Sequence, residues 1–400
     1  MIDLRKYKTI YVGSVKNLRQ KKRPTKNHPG VLLFEFTDDF SIFDYGKMPD
    51  AIPGKGAATA ISTAYFFERV ASAEAWRRFA GSGIWRVVKD RALREELLAS
   101  PVLKKLIKTG MPTHYRGIVN EQGKTVKLDR LREPSNVLEV DAVRILRPEP
   151  MSFGGARIWN YNTFTPGMSN YLIPLECVFR FGLPAGSSLL SRLDDIPDYH
   201  RQLGLAQKPK GGEALPRPVV EMFSKLEPAD RHLPYEWALN VSGLSNSDFV
   251  AVYHYTLLLA LFLRREFEKA KVTLWDGKFE FVHLGQIALG DAITPDELRL
   301  TMRGVQLSKE PIRQYYRKHE RKFVAAMNEA KKIAAKVDRE LSDLVNNELK
   351  SPPPPMHPDF LAAVVDMYTG LTEAVCGVGL FGPAPSLTKV MKVFERFGIA

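Results

Sequence analysis

Residues 274–281 read LWDGKFEF, and their alternation is unusual for a strand. With a period of two, Trp275, Gly277, Phe279 and Phe281 fall on one face. Leu274, Asp276, Lys278 and Glu280 fall on the other. An acid, a base and an acid along one face need a reason. The next segment, GQIALGD, predicts a second strand that returns antiparallel after a turn at His283–Gly285 and ends at Asp291. That hairpin brings Asp291 within reach of Asp276, Lys278 and Glu280. Three carboxylates around one lysine repel one another and make a poor structural ion pair. They suit Mg²⁺, which takes hard oxygens from a few carboxylates and from nucleotide phosphates. Asp276, Glu280 and Asp291 are therefore candidate metal ligands, and Asp276, Lys278 and Asp291 candidate catalytic groups. A charged edge strand protected against edge-to-edge pairing would show the same alternation.

Three further stretches can hold anions. In IYVGSVK, Gly13 follows a strand and Lys16 comes three residues later, so turn N–H groups and an ammonium can meet a phosphate. An ordinary hairpin turn is the plainer reading. In LECVFRFGLPAGSSLLSRL, Arg180 ends a strand and Ser187 sits on a glycine-loosened loop, a pairing that suits phosphate or carboxylate. In SIFDYGKMPDAIPGKG, Asp44 and Lys55 precede a helix start, which is a fair anion site.

The elements that must position these groups are mixed. Residues 8–45 read as strands around a basic loop. Residues 54–83 and 91–110 read as helices, the second interrupted at Pro101 and closed by Gly110. Strands return over 114–182, with an aromatic-containing loop at 147–169. Residues 248–272 predict a long helix, apolar nearly all round and so buried. After the opening strand pair, helix is expected from about 311 to 350. A stiff SPPPPMHPD linker and a short apolar helix follow, with an FGPAPS turn that could serve an interface or cap the domain. Strands first and mixed segments later predict an α+β fold rather than a doubly wound sheet.

Composition bounds the partners. The 400-residue chain carries a net charge of +13 and is 44% hydrophobic. It has ample core and favours anionic ligands. The basic runs at 19–26 and 313–322 lack the interleaved aromatics of a nucleic-acid platform, so no nucleic acid is expected. No run of about 18 uncharged apolar residues predicts a membrane span. Two isolated cysteines, Cys177 and Cys376, form neither a disulfide framework nor a zinc site, and a cytoplasmic location is expected.

Taken in order, YVGSVK, LFEFTDDFSIFD…IPGKG, GMPTHY, PLECVFRFGLPAGSSLLSRL, WDGKFEF and GDAITPDELRL resemble the phosphoribosylaminoimidazole-succinocarboxamide synthases, the SAICAR synthetases of purine biosynthesis. The match runs from about residue 8 to residue 345. The resemblance implies a two-lobed fold of antiparallel sheets flanked by helices. It divides the chain into an N-terminal lobe (1–175) over the ATP phosphates, a C-terminal lobe (176–350) and an added segment (351–400). It implies ATP and Mg²⁺ as cofactors and ligation of a carboxyaminoimidazole ribotide to L-aspartate through an acyl phosphate. Such enzymes are often homo-oligomers.

Residue by residue, the resemblance places Gly13 and Lys16 over the ATP phosphates, and Lys225 and Asp230 beside the nucleotide. Asp276, Lys278, Glu280 and Asp291 face nucleotide and metal. Arg180, Ser187, Arg299 and Arg313 grip the ribotide, and Ser41, Asp44 and Lys55 line the substrate cleft. The sequence also departs from the family pattern. Ser14 stands where a lysine is usual, Ala292 where a glutamate is usual, and the Arg180–Ser187 spacing is one residue longer. These departures keep open a paralogous amide ligase with another carboxylate or amine. The Asp-x-Lys strand is also compatible with an inositol-phosphate-type kinase of the same fold, against which PLECVFR…AGS speaks, and charge alone points to a non-enzymatic nucleic-acid binder.

Overall fold

The computed structural model describes residues 3–184, 186–334, 339–383 and 386–399. The chain opens with β1 (Lys8–Val12), β2 (Lys16–Lys22) and β3 (Gly30–Phe36), followed by helices α1 (Lys55–Ala71), α2 (Ala73–Ala80), α3 (Arg91–Ala99) and α4 (Pro101–Thr109). Then come β4 (Tyr115–Val119), β5 (Thr125–Val126) and β6 (Val137–Ala142). The six strands form one antiparallel sheet in the order β1-β2-β3-β6-β4-β5. Ala60, Ile61 and Ala64 of α1 lie on Phe34, Phe36, Ile118, Leu138 and Val140. The small alanines let the helix axis approach the sheet. The break at Pro101 is a true boundary between helices: Ser100 ends α3 and caps α4, its hydroxyl accepting the Leu103 N–H at 3.1 Å. Gly110 closes α4 with φ 75°.

The aromatic stretch after β6, expected as loop, is a two-stranded hairpin of β7 (Glu149–Phe153) and β8 (Ala156–Asn160). Its Gly154-Gly155 pair supplies the two positive-φ turn residues. The second sheet is built from β9 (Tyr171–Gly182), β10 (Ala214–Ser224), β11 (His232–Leu233), β12 (Thr273–His283), β13 (Ile287–Leu289), β14 (Leu298–Met302) and β15 (Val305–Gln306). Its order is β11-β10-β9-β12-β14-β15, with β13 pairing on the end of β12. Helices α5 (Leu189–Asp195) and α6 (Tyr199–Gln202) cover one side of β10, and α7 (Tyr235–Ser242) and α8 (Asn246–Lys269) follow.

Helix α8 is the spine of the core. Tyr255 to Leu263 are all buried, as an apolar-all-round sequence demands. Among the described residues it alone has the length and hydropathy of a membrane span, but its middle is packed inside the protein. Gly277 of β12 is required by close approach. A Cβ there would lie 2.4 Å from Leu298 and 2.8 Å from the Phe179 ring.

Two expected boundaries move. A lobe division at residue 175 falls inside β9, a continuous 12-residue strand. The first sheet ends earlier, at Ala142. The helix expected over 311–350 is divided into α9 (Glu310–His319) and α10 (Arg321–Ala334), with a short α11 (Leu341–Asp343) beyond; residues 335–338 lie outside the described residues. The C-terminal segment holds two helices, α12 (Pro358–Cys376) and α13 (Leu387–Arg396), whose buried Phe360, Val364, Met367 and Phe394 join the main core. Residues 384–385 of the FGPAPS turn lie outside the described residues.

Candidate active site

The register of β9 against β12 sets the site. Asp276 pairs with Arg180, Lys278 with Val178, and Glu280 with Glu176. Directly opposed residues share a face, so Arg180, Glu176, Asp276, Lys278 and Glu280 line one surface. Glu221 enters from β10 and Arg299 from β14, opposite Asp276. The charged face is thus central and largely buried. This excludes the edge-strand explanation for the LWDGKFEF pattern.

At one end the groups are acids and lysines. Glu176 accepts hydrogen bonds from Lys225 and Lys278, both at 2.7 Å. Lys225 Nζ also lies 2.8 Å from Glu280. Asp291 follows β13 in a left-handed conformation (φ 51°) and is ion-paired with Lys16, which also sits 4.3 Å from the Phe34 ring centre. The backbone oxygen of Asp291 lies 2.9 Å from His114 Nε2. Burial pushes His114 down to about 4, so its neutral ring donates there through Nε2–H. A parallel bridge between Thr113 and Leu289 ties the chain leading into the first sheet to β13. The strained Asp291 backbone is therefore held from the neighbouring lobe.

The electrostatics of this end are polarised. Burial, and next the charge of Asp291, push Glu280 up to about 8. For Asp291, burial opposes ionisation, but Lys16, with Lys225 and Lys278, holds the carboxyl well below the usual range. Burial likewise opposes the charges of Lys225 and Lys278, yet the surrounding carboxylates keep both ammonium groups well above their ordinary values.

At the other end the groups are arginines and acids. Arg180 donates to Glu221 (2.7 Å), Asp276 (3.0 Å) and Ser188 (3.2 Å). Arg192 donates to Glu221 at 2.6 Å, and Tyr199 does so at 2.9 Å. Arg299 lies 3.1 Å from Asp276. Beside this cluster opens a cleft of about 690 Å³ whose wall includes Asp276, Asp296, Arg299, Lys309, Arg313, Arg317 and Lys331.

The expected carboxylate triad is corrected by this geometry. Asp276 is occupied by Arg180 and Arg299, four residues along the strand from Glu280, and among the described residues no three potential ligands gather at a metal-binding spacing. Glu280 on β12 and Asp291, two residues past the end of β13, remain as a pair. Two carboxylates fit Mg²⁺, which retains waters and takes its other oxygens from phosphates. Burial first, and the neighbouring Asp291 charge second, raise the proton affinity of Glu280, a cost that a bound cation would offset.

Other expectations shift as well. The N–H of Gly13 donates to the Lys16 carbonyl at 3.1 Å, closing the β1–β2 hairpin, so this amide is not free for a phosphate. The start of α1 is already neutralised from within: Asp38 accepts the N–H groups of Gly54 (3.3 Å) and Gly56 (2.9 Å). Lys55 is not a free cation. It is buried, 3.5 Å from Asp296, and donates to the Asp39 carbonyl at 3.2 Å. Asp44 is exposed and bound to Lys331 at 2.7 Å, at the cleft rim. Ser41 is half-buried in the same loop, and Asp230 is exposed beyond β10.

The lengthened loop after Arg180 turns at Gly186 (φ 76°), and the Ser187 N–H donates to Pro184 at 3.0 Å. Ser188, not Ser187, is bonded to Arg180. The Ser187 hydroxyl is buried and has no hydrogen-bond partner among the described residues. Arg313 faces the cleft and lies 3.3 Å from Glu310. Ala292 packs against the Phe34–Phe36–Ala60 cluster, which accounts for an apolar residue there.

Sequence reasoning missed Glu176, Arg192, Glu221, Asp296 and Lys309. Glu176 was within reach: it precedes Arg180 by four in a strand, so the two share a face. Glu221, the lone acid in the apolar run PVVEMF, carried a fainter signal of the same kind.

Comparison with known proteins bears on the family and the fold. The SAICAR synthetase family model matches residues 162–331. A curated Archaeoglobus fulgidus protein provisionally named phosphoribosylaminoimidazole-succinocarboxamide synthase is 32% identical over 388 residues, covering 96% of this chain and 99% of the relative. The Thermoplasma acidophilum phosphoribosylaminoimidazole-succinocarboxamide synthase is 31% identical over 228 residues, covering 53% of this chain and 70% of the relative. Among solved structures, the Saccharomyces cerevisiae SAICAR-synthase complexed with SAICAR shares the fold with a TM-score of 0.52 at 17% identity, covering 93% of this chain and 95% of that one.

Proposed function

Because the chain belongs to the SAICAR synthetase family, we propose that it joins the carboxylate of a carboxyaminoimidazole ribotide to the amine of L-aspartate, converting ATP to ADP and phosphate, as a cytoplasmic step of purine biosynthesis. The observation that carries the reading is the two-ended charged face of β9 and β12. One end holds an acid pair among three lysines, and the other opens on a cleft lined by five cationic side chains, Arg299, Lys309, Arg313, Arg317 and Lys331, interleaved with five acids.

The chemistry needs both ends. A carboxylate resists attack until one of its oxygens takes the γ-phosphoryl group of ATP. The aspartate amine then forms the amide bond, and phosphate and a proton leave. Glu280 and Asp291 would hold Mg²⁺, which supplies charge neutralisation to the phosphates when bound. Lys16, Lys225 and Lys278 stand where they can spread the phosphate charge. Glu176 keeps Lys225 and Lys278 aimed at one point. Arg299, Arg313 and the spare Ser187 hydroxyl suit the ribotide phosphate. Three of the five N–H donors of Arg180 already serve Glu221, Asp276 and Ser188, so it acts as a positioning residue that sets Asp276 and Ser188.

The test is ADP release with the ribotide, ATP, Mg²⁺ and L-aspartate, against controls omitting each in turn. Turnover requiring all four supports the reading. Turnover with another amine but not aspartate would assign the chain to the paralogous ligase. Phosphate transfer to a hydroxyl without any amine would overturn ligation.

A further inference from the structure

The C-terminal segment reaches the cleft through one side chain. Helix α12 lies along α1, where Ser62 and Thr372 hydroxyls meet at 2.9 Å and Thr372 also donates to the Ala58 carbonyl at 3.3 Å. One turn earlier, the fully buried Tyr368 donates its hydroxyl to Asp296 Oδ1 at 2.6 Å. The other oxygen of Asp296 lies 3.5 Å from Lys55 Nζ and 3.6 Å from Lys309 Nζ. Asp296 and Lys309 both line the 690 Å³ cleft. The Lys55 ammonium also sits 5.6 Å from the centre of the Tyr368 ring. One carboxylate thus holds two lysines, and a tail residue holds the carboxylate.

We propose that Tyr368 is a positioning residue for substrate binding: its hydroxyl fixes the Asp296 carboxylate so that Lys309, backed by Lys55, is presented to an anionic substrate in the cleft. The inference rests on the ligase reading, since it assigns the cleft to the ribotide or to L-aspartate. The physical logic is one of supply and demand for hydrogen bonds. Asp296 is buried and needs donors for both oxygens. Tyr368 satisfies one from the protein side. Without that donor the carboxylate must turn toward its remaining partners, and the half-buried Lys309 is the one free to follow it out of the cleft wall. Burial raises the Tyr368 phenol well above its ordinary value, so it remains a donor throughout the working range. The C-terminal helices therefore complete the site rather than merely closing the domain.

The test compares Tyr368→Phe, which keeps the ring, with Thr372→Val, which removes a buried hydrogen bond from the same helix without touching Asp296. For Tyr368→Phe, the KM of the ribotide or of L-aspartate should rise about five- to twenty-fold, while the MgATP KM changes less than about two-fold. Thr372→Val should lower the melting temperature and leave all three KM values unchanged. Unchanged KM values in a folded Tyr368→Phe protein would overturn the proposal, as would a uniform loss of activity matching that of Thr372→Val. Inactivity of the wild type would sink the ligase reading separately. Calorimetric binding of the ribotide and of L-aspartate to both proteins then decides the role of Tyr368: weaker binding to the variant sustains it, and equal binding to the two proteins, or none to the wild type, overturns it.

Discussion

Glu280→Gln isolates the electrostatic burden of the site. In the wild type this carboxyl is pushed from 4.5 up to about 8, by burial first and by Asp291 second. Because the folded value lies above the unfolded one, its contribution favours the fold fully below 4.5 and is lost as pH rises through 8. At 1.36 kcal/mol per decade, the loss amounts to about 5 kcal/mol once pH exceeds both values. Between pH 5 and pH 7 alone it is about 2–3 kcal/mol. Glutamine has the shape of the protonated acid and cannot ionise. Denaturant unfolding of both proteins at pH 5, 7 and 8.5 gives the difference directly, with the titration of the interacting Asp291 included in it. The variant should gain stability relative to wild type by about 2–3 kcal/mol on going from pH 5 to pH 7, and further by pH 8.5. It should also lose turnover, because one of the two carboxylates offered to Mg²⁺ is gone. A stability difference that does not change with pH would refute the claim that Glu280 is held protonated beside Asp291. The same titration predicts that MgADP binding at pH 7 releases protons, measurable from the buffer dependence of the binding enthalpy.

Three further outcomes are expected. Asp291→Asn should abolish turnover while the melting temperature stays within a few degrees, since Glu280 then ionises more readily and restores a partner for the lysines; normal activity would contradict its role. Asp276→Asn should leave MgADP affinity within about two-fold but raise the ribotide KM about ten-fold, because this carboxylate anchors Arg180 and Arg299 rather than a metal; loss of MgADP binding would reverse that assignment. Ser187→Ala should raise the ribotide KM with stability intact. Ser188→Ala should instead lower the melting temperature by freeing Arg180 and Arg192, and the opposite pattern would exchange the roles of the two serines.

Much of the site was legible because strands have a short period. The Asp276-Lys278-Glu280 face follows from alternation, the return strand was legible too but ends at Leu289, two residues short of Asp291, and α8 follows from an apolar run too long for a strand. What alternation cannot reveal is which strand lies alongside. The removal of Asp276 from the acid pair depends on β9 placing Arg180 opposite it. Local sequence likewise did not disclose that Asp38 would neutralise the start of α1, or that Asp296 would claim Lys55. Both are contacts between distant or irregular segments. The β7–β8 hairpin was hidden because Pro150 and paired glycines read as loop. The contribution of Tyr368 was invisible because the residue lies in the tail, beyond the stretch that carries the resemblance.

The ion pair between Lys16 and Asp291 has a consequence for selectivity. Each partner is the other's counter-ion in the free protein, so neither is vacant. A bare cation arriving at Asp291 would strand the ammonium of Lys16, and a bare polyphosphate arriving at Lys16 would strand the carboxylate. Only a ligand that brings both signs of charge lets the two exchange partners at once, which favours the metal-complexed nucleotide over either component alone.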